Sequence, residues 1–581
     1  MSHLEAGDHL PLFQTPLIPK QEFAYRSASS SDDEASKPGR EEAALELQDN
    51  DQDLHDNPKF RRHTETTHAE LFYDLFFVAN LTVFTTVHEV NDRQTLAQYI
   101  GFFCILWLTW YQVGLYDVRF SMDSVFERIA KASQFGVMIG FAITGPKFDV
   151  GARADDNDGD GPSLSSFRAL SLILMASRLV LVLQYLQSLW FTRHHTKTQL
   201  PMLLTAATYF VAAMIYLGLF FTFRPDGDAE NHTYITWYVV AVLETVIATT
   251  VSSVWRVISF KGTHLVQRMS LLTLIILGEG VMALAEKCQV IVKSGVFQFT
   301  ASIIGNIISA ILILYFVYML YFDWIQEEHF GTIRQQVWAF LHFPLHLFLV
   351  LAVEGAAQSL AWRAGVEESN VLLNQQNSWN FTTYDDNEAI IVNPIWENRT
   401  AADWLNAATT INDTATNILY QALANSENYE QTYKVSETLT DVWNATAIIA
   451  DPSSALEVSV NAANWIYNTL IVVALELAGF EGPESTSEDT DDTTPIDFNS
   501  DATFEAVTRE QVKTESVFAL TFVYFFVSIG LVIMLCTVLA ALSKKQKTAV
   551  HWIRLAASGF VGLALCLLAV IAVTSTASSS S

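Results

Sequence analysis

The feature that most constrains this chain is a series of apolar runs, each about as long as a bilayer is thick. Roughly 20 residues of helix cross the hydrocarbon core. Eleven stretches qualify, near 71–88, 97–116, 126–145, 165–190, 200–222, 234–255, 269–286, 298–322, 337–358, 516–542 and 553–575. Each is too long and too continuous for a barrel strand, and in lipid the backbone must satisfy its own hydrogen bonds. The predicted fold is therefore all-α: a polytopic integral membrane helix bundle of about 11 transmembrane helices. Composition agrees. Only 16% of the residues are charged, against about 25% in soluble proteins. The net charge of −29 excludes a nucleic-acid binder, which needs a basic surface. The lipid bilayer is the expected partner, with a small ion or solute as the second.

The acidity is localised. Residues 1–69 carry a net −7 and residues 359–515 a net −21, so the apolar part is nearly neutral. This divides the chain into a disordered acidic N-terminal segment (1–69), a core of nine spans (70–358), an acidic insertion (359–515), and two C-terminal spans with a short tail (516–581). No basic and apolar leader opens the chain, so the first span is expected to act as the targeting signal. The four cysteines, at 104, 288, 536 and 566, avoid the insertion. That segment is thus no disulfide-stapled module, and no CxxC metal spacing occurs.

Basic loops orient the bundle. With the N-terminus in the cytosol, Arg119, Arg193, Lys197, Arg334 and the KKQK run at 544–547 fall on the cytosolic side. The glycosylation sequons at Asn231, Asn380, Asn398, Asn412 and Asn444 then all fall outside. Asn80 also begins a sequon, but within a span. Residues 464–480 are apolar enough to be a twelfth span; crossing there would reverse the KKQK run, so they are read as a helix within the outer region. The expected location is a membrane of the secretory pathway, plasma membrane or vacuole.

Ionisable residues inside spans are costly and mark function or buried pairing. In the first span Glu70 lies about 40° from Asp74 around the helix, Thr85 about 20° and His88 about 40°. In the seventh, Arg268 and Glu286 each lie about 20° from Glu279, which sits between Gly278 and Gly280. Two glycines there could admit a neighbouring helix or loosen the span. Arg178 is the one strong base in mid-span, with Asp74, Glu279 or Glu244 as its prospective partners. The candidate ion or solute path is Glu70, Asp74, Arg178, Glu244, Arg268 and Glu279. His342 and His346 share a helix face at a spacing that can chelate a metal, although no third ligand is evident. Nucleophile elbow, Walker, dinucleotide and HExxH signatures are absent, and no cofactor is expected.

Four stretches resemble the low temperature requirement A (LtrA) family of multi-spanning membrane proteins. ELFYDLFFVANLT at 70–82 is similar to its opening span. WYQVGLYDVR at 110–119 resembles its aromatic–acid run, HLVQRMSLLTLIILGEG at 264–280 its H-x-x-E-R and L-G-E elements, and WAFLHFPLHL at 338–347 its Y-x-H-x-P-L run. The resemblance covers about 70–358 and implies family-type residues at Glu70, Asp74, Asp117, His264, Arg268, Glu279 and His342. Gln267 stands where the family has an acid. The insertion and its sequons imply a eukaryotic, fungal-type member.

The resemblance carries no established activity. The leading expectation is a transporter or channel for a proton, small ion or solute. In it Asp74 and Glu279 hold the cation and Arg178 neutralises the vacant carboxylate. An intramembrane zinc hydrolase built on His342 and His346 is the enzyme alternative, the chain otherwise being read as no enzyme. A receptor or scaffold with a glycosylated outer segment is the third.

Overall fold

The computed structural model describes residues 10–17, 60–61, 65–87, 90–148, 164–223, 232–260, 263–297, 299–324, 332–384, 390–426, 429–451, 454–480, 501–543 and 548–579. His88, Asn231, the KKQK run and the acidic loop at 149–160 lie outside them.

Fifteen helices order the described chain. They are α1 (His68–Val87), α2 (Arg93–Phe120), α3 (Val125–Thr144), α4 (Leu164–Thr192), α5 (Thr196–Thr222), α6 (Ile235–Val254), α7 (Leu265–Ser294), α8 (Ala301–Phe322), the short α9 (Thr332–Phe340), α10 (His342–Trp379), α11 (Ala401–Asn425), α12 (Tyr429–Ala450), α13 (Leu456–Leu477), α14 (Asp501–Ser543) and α15 (Ala549–Ser579). A three-residue hairpin pair, β1 (Thr382–Tyr384) and β2 (Ile390–Val392), follows α10, with Thr383 opposite Ile391. The chain is an all-α polytopic membrane bundle, and every one of the 11 predicted runs falls on a helix. Ten helices are long and apolar enough to cross a membrane by length and composition. They include α13 but not α1 or α3, whose first two turns carry Glu70 and Asp74, and Glu127, Arg128 and Lys131.

The bundle buries its ionisable side chains within an aromatic and aliphatic core and exposes apolar ones, as lipid requires. Its axis is α2. From Phe102 to Phe120 every residue except Cys104 is buried, and α2 packs against α1, α4, α6 and α10. Trp107, Trp110, Tyr111 and Tyr116 fill the centre. Leucines, valines and phenylalanines of α5, α8 and α15 face outward. The α2 start is set by a capping box in which Asp92 accepts from the Thr95 amide at 2.6 Å and the Thr95 hydroxyl accepts from the Asp92 amide at 3.0 Å.

Helix α10 is 38 residues long, about 57 Å at 1.5 Å per residue, nearly twice the hydrocarbon thickness. Its first half lies in the bundle and its second half stands beyond it. There α13 lies antiparallel to α10: Leu475 abuts Gly365, Asn464 accepts from Gln376 at 2.9 Å, and Tyr467 accepts from the Trp379 indole at 3.0 Å. The apolar face of α13, with Trp465, Ile466, Leu470 and Ala474, packs on Leu372 and on Ala407, Ile411, Leu419 and Val442 of α11 and α12. Its hydrophobicity is that of a second core.

Two expectations are corrected. The boundaries drawn at 358/359 and 515/516 lie inside α10 and α14, because hydropathy falls where a helix leaves lipid while its backbone hydrogen bonding continues. The N-terminal segment is not wholly unstructured. Residues 10–17 dock on α3, whose first amides, Val125 and Phe126, donate to the carbonyls of Pro11 and Leu12 at 3.0 and 3.2 Å. Phe60 bridges to Leu17 and packs edge-on against Phe120 at 5.2 Å. The acidic average of 1–69 hides the apolar stretch LPLFQTPL that makes these contacts.

Candidate functional site

Helices α1 and α7 run side by side in the same direction. Glu70 meets His264 at one end and Thr82 meets Glu279 at the other. The two polar stripes expected from helical spacing therefore face each other.

At the end of the bundle where α1 and α7 begin, six ionisable side chains converge from four helices. Glu70 belongs first to a capping box: Thr67 donates its amide to Oε2 at 2.8 Å and its hydroxyl at 3.0 Å, and accepts from the Glu70 amide at 3.3 Å. Both Glu70 oxygens also lie 3.1 Å from Nε2 of His264, the N-cap residue of α7. One turn on, Asp74 Oδ1 accepts from the Trp110 indole at 2.7 Å. Asp117, from α2, accepts from Lys131 of α3. Arg268 joins them, with Nη1 at 3.5 Å from Glu70 and 3.3 Å from Asp117, and Nη2 at 3.4 Å from Asp74. The guanidinium sits over the Trp110 ring at 5.3 Å. It lies against Gly114, where a Cβ would be 3.4 Å from Cζ. All six groups are buried.

Two properties separate this cluster from an ordinary ion pair. First, three carboxyl groups share one arginine and one lysine, so the acids outnumber the permanent cations. Second, it is under-bonded. Asp74 Oδ2, Asp117 Oδ1, Arg268 Nε and the Tyr73 hydroxyl are buried without a hydrogen-bond partner. Arginine–carboxylate contacts are normally about 2.7–2.9 Å; Arg268 is stretched among three acids and tight to none.

Arg178 is the contrast. It binds Glu244 of α6 through Nε at 2.9 Å and Nη2 at 2.9 Å. Thr109 accepts from its Nη1 at 3.2 Å, and Tyr216 donates to Glu244 at 3.1 Å. Of the three partners considered for Arg178 the structure selects Glu244, so Arg178 does not neutralise Asp74 or Glu279. This closed pair attaches to α2 at Thr109, eight residues and about 12 Å from Asp117.

Glu279 stands apart from Arg268, half-buried, accepting from Thr82 at 2.6 Å. Only one of its flanking glycines admits a helix: a Cβ on Gly280 would be 2.7 Å from Val353 of α10, whereas Gly278 faces open space. Helix α7 runs unbroken through both.

His342 and His346 lie at a different level and are fully engaged. His342 Nδ1 donates to the Trp338 carbonyl at 2.9 Å, so its Nε2 accepts from Tyr321 at 2.8 Å. His346 Nδ1 accepts from the Trp107 indole at 3.1 Å, so its Nε2 donates to Thr273 at 2.8 Å. Each ring is thereby held as one neutral tautomer, and no nitrogen is left for a metal. Among the described residues no group of three or more His, Cys, Asp or Glu side chains is placed to hold a metal ion.

Residues 65–382 match the family described as Bacterial low temperature requirement A protein (LtrA). That is more than half of the chain, and it contains the whole cluster. The chain belongs to the LtrA family. No curated protein and no solved structure matches it. The LtrA match runs past the resemblance at 70–358 to the end of α10 and into β1, so the long outer half of α10 belongs to the LtrA unit.

Sequence reasoning missed Lys131, Trp110 and Gly114 as parts of this LtrA site. A signal for Lys131 existed. Glu127, Lys131, Gln134 and Met138 recur at helical spacing and are all buried, whereas Arg128 is exposed and pairs with Asp123. For Trp110 and Gly114 no signal existed, because their roles depend on which helix lies opposite α2.

Proposed function

We propose that this LtrA-family protein moves a small cation, a proton included, across its membrane, and that the Glu70/Asp74/Asp117/Arg268 cluster is its binding site. The observation that carries the reading is a buried cluster whose arginine is shared among three acids and whose Asp74 and Asp117 each keep one oxygen unbonded. A structural ion pair saturates its partners, as Arg178 and Glu244 do; a carrier site must be able to exchange them. Glu279 and Thr82 lie farther along the same α1–α7 seam, as a second station. Arg178 and Glu244 pin α4 to α6 and leave the path. The zinc hydrolase finds no support in the engaged histidines.

The test is proton and cation flux in proteoliposomes. Asp74→Asn is expected to lower flux at least tenfold, and Glu279→Gln to lower it less. Unchanged flux in Asp74→Asn, or none of any cation in the folded wild type, overturns the reading.

The same proposal places the N-termini of α1 and α7 on the cytosolic side and the module of α11 to α13 outside. Asn380, Asn398 and Asn444 are exposed there and Asn412 half-buried, whereas Asn80 is buried within α1, donating to the Phe76 carbonyl at 2.7 Å. A glycosidase-sensitive mass shift is expected in a eukaryotic host. It should disappear when the four outer asparagines and Asn231 become glutamine. A shift that persists until Asn80 is replaced rejects this orientation.

A further inference from the structure

We infer that the occupant of the α1–α7 site is a single proton, carried on Oδ2 of Asp74, and not a metal cation. The inference rests on the transport reading for its purpose but not for its evidence.

The bonding inventory selects the proton. Hard cations take about six oxygen ligands or more. The groups bonded to Asp74 are donors, the Trp110 indole and the Arg268 guanidinium, while the neighbouring Asp117 and Glu70 are taken by Lys131 and His264. The guanidinium would repel a metal ion, and the indole N–H offers it no lone pair. The unpartnered oxygens are Asp74 Oδ2, Asp117 Oδ1 and the Tyr73 hydroxyl, too few for a coordination shell. A proton needs one.

The inventory also selects the acid. Glu70 has both oxygens engaged, by Thr67 and His264. Asp117 is held by Lys131 as well as Arg268. Asp74 has no ammonium of its own. Its Oδ1 accepts from Trp110 and Arg268, while Oδ2 is fully buried and bare. The groups bonded to it are Trp110 of α2 and Arg268 of α7; Arg268 also contacts Gly114 and Asp117 of α2 and Glu70 of α1, Lys131 of α3 and His264 pair with Asp117 and Glu70, and Tyr73 precedes it on α1. A buried acceptor without a donor is the least stable member of such a set. Adding a proton to Oδ2 forms one O–H bond, reduces the negative charge of the cluster by one, and leaves Oδ1 as the carbonyl oxygen bonded to Trp110. Arg268 is then free to draw toward Asp117 and Glu70. Losing the proton pulls it back, which gives the site two arrangements.

Infrared difference spectra of the full-length protein in lipid, acid minus alkaline, test this. The expected result is a carboxylic acid C=O band that shifts in deuterated water, is absent from Asp74→Asn, and persists in Glu70→Gln and Glu279→Gln. Exchanging sodium for potassium should leave the carboxylate bands unchanged. If Asp74→Asn does not fold, Trp110→Phe serves instead: loss of the hydrogen bond to Oδ1 should move the same band to higher frequency. A band that survives in Asp74→Asn, a band indifferent to Trp110→Phe, or a sodium-dependent shift of the Asp74 carboxylate each overturns the inference. The band is read without flux. A protein that shows it but moves nothing supports the inference and refutes only transport.

Discussion

Arg268→Met is expected to destabilise the bundle by about 3–5 kcal/mol, the usual cost of leaving a buried charge uncompensated. The three buried carboxyl groups would then be left with Lys131 on Asp117 and His264 on Glu70. The pattern of rescue is the informative part. Adding Asp74→Asn restores the original net charge but none of the guanidinium donors, so about half of the loss should remain. The Arg178–Glu244 pair should behave differently. Arg178→Met alone is expected to cost a similar amount, but Arg178→Met with Glu244→Leu removes both partners of a closed pair, and such exchanges are often neutral. Melting curves of these four variants in detergent, with Asp74→Asn and Glu244→Leu alone completing two double-mutant cycles, distinguish a shared arginine from a dedicated one. Equal rescue in the two cycles would reject the distinction drawn between the sites.

Gly530→Leu is expected to separate α15 from α14. The two helices touch backbone to backbone. A Cβ on Gly530 would lie 2.6 Å from the Gly562 carbonyl oxygen and 2.5 Å from Cys566 Sγ, and one on Gly562 2.7 Å from the Gly530 carbonyl oxygen. Overfilling a packed contact usually costs about 1–3 kcal/mol, and here the obstacle is a carbonyl that cannot rotate away. In lipid no hydrophobic force returns the helix, since close packing of small residues is what holds it. Helix α15 packs chiefly on α14, and Phe560, Val561 and Leu567 on its other faces are exposed. Cys566 is half-buried in that contact. With Cys104, Cys288 and Cys536 changed to serine, a membrane-permeant maleimide should label Cys566 at least tenfold faster in Gly530→Leu. Gly559→Leu is the control: nothing lies within 4 Å of its Cβ position, so its labelling should match that of Gly530.

Much of the site could be read before any helix was packed. Glu70 and Asp74, like Arg268 and Glu279, fall on one face by helical arithmetic alone, and those two faces meet along the α1–α7 seam. Pairing between helices could not be read. Asp74, Glu244 and Glu279 were equivalent partners for Arg178 until α4, α6 and α7 took their places around α2. Lys131 shares the stripe of Glu127, Gln134 and Met138, whereas Arg128, three residues before it, is a surface charge. His342 and His346 looked like metal ligands by spacing, a property that carries no information about Tyr321, Thr273 or Trp107, which occupy their nitrogens.

The sequence by itself determined the all-α membrane class of this protein, the position of its long apolar helices, the stripes on α1 and α7 and its LtrA membership, since all four depend on residues near one another in the chain and on the cost of polar groups in lipid. Tertiary structure alone decided that Arg268 is shared while Arg178 is not, and that Asp74 keeps one oxygen bare. It also decided that the apolar run of α13 packs on the outer half of α10 instead of lying along the spans. Each of these is a competition between partners far apart in sequence, settled by distance and by the number of hydrogen bonds that each arrangement leaves unmade.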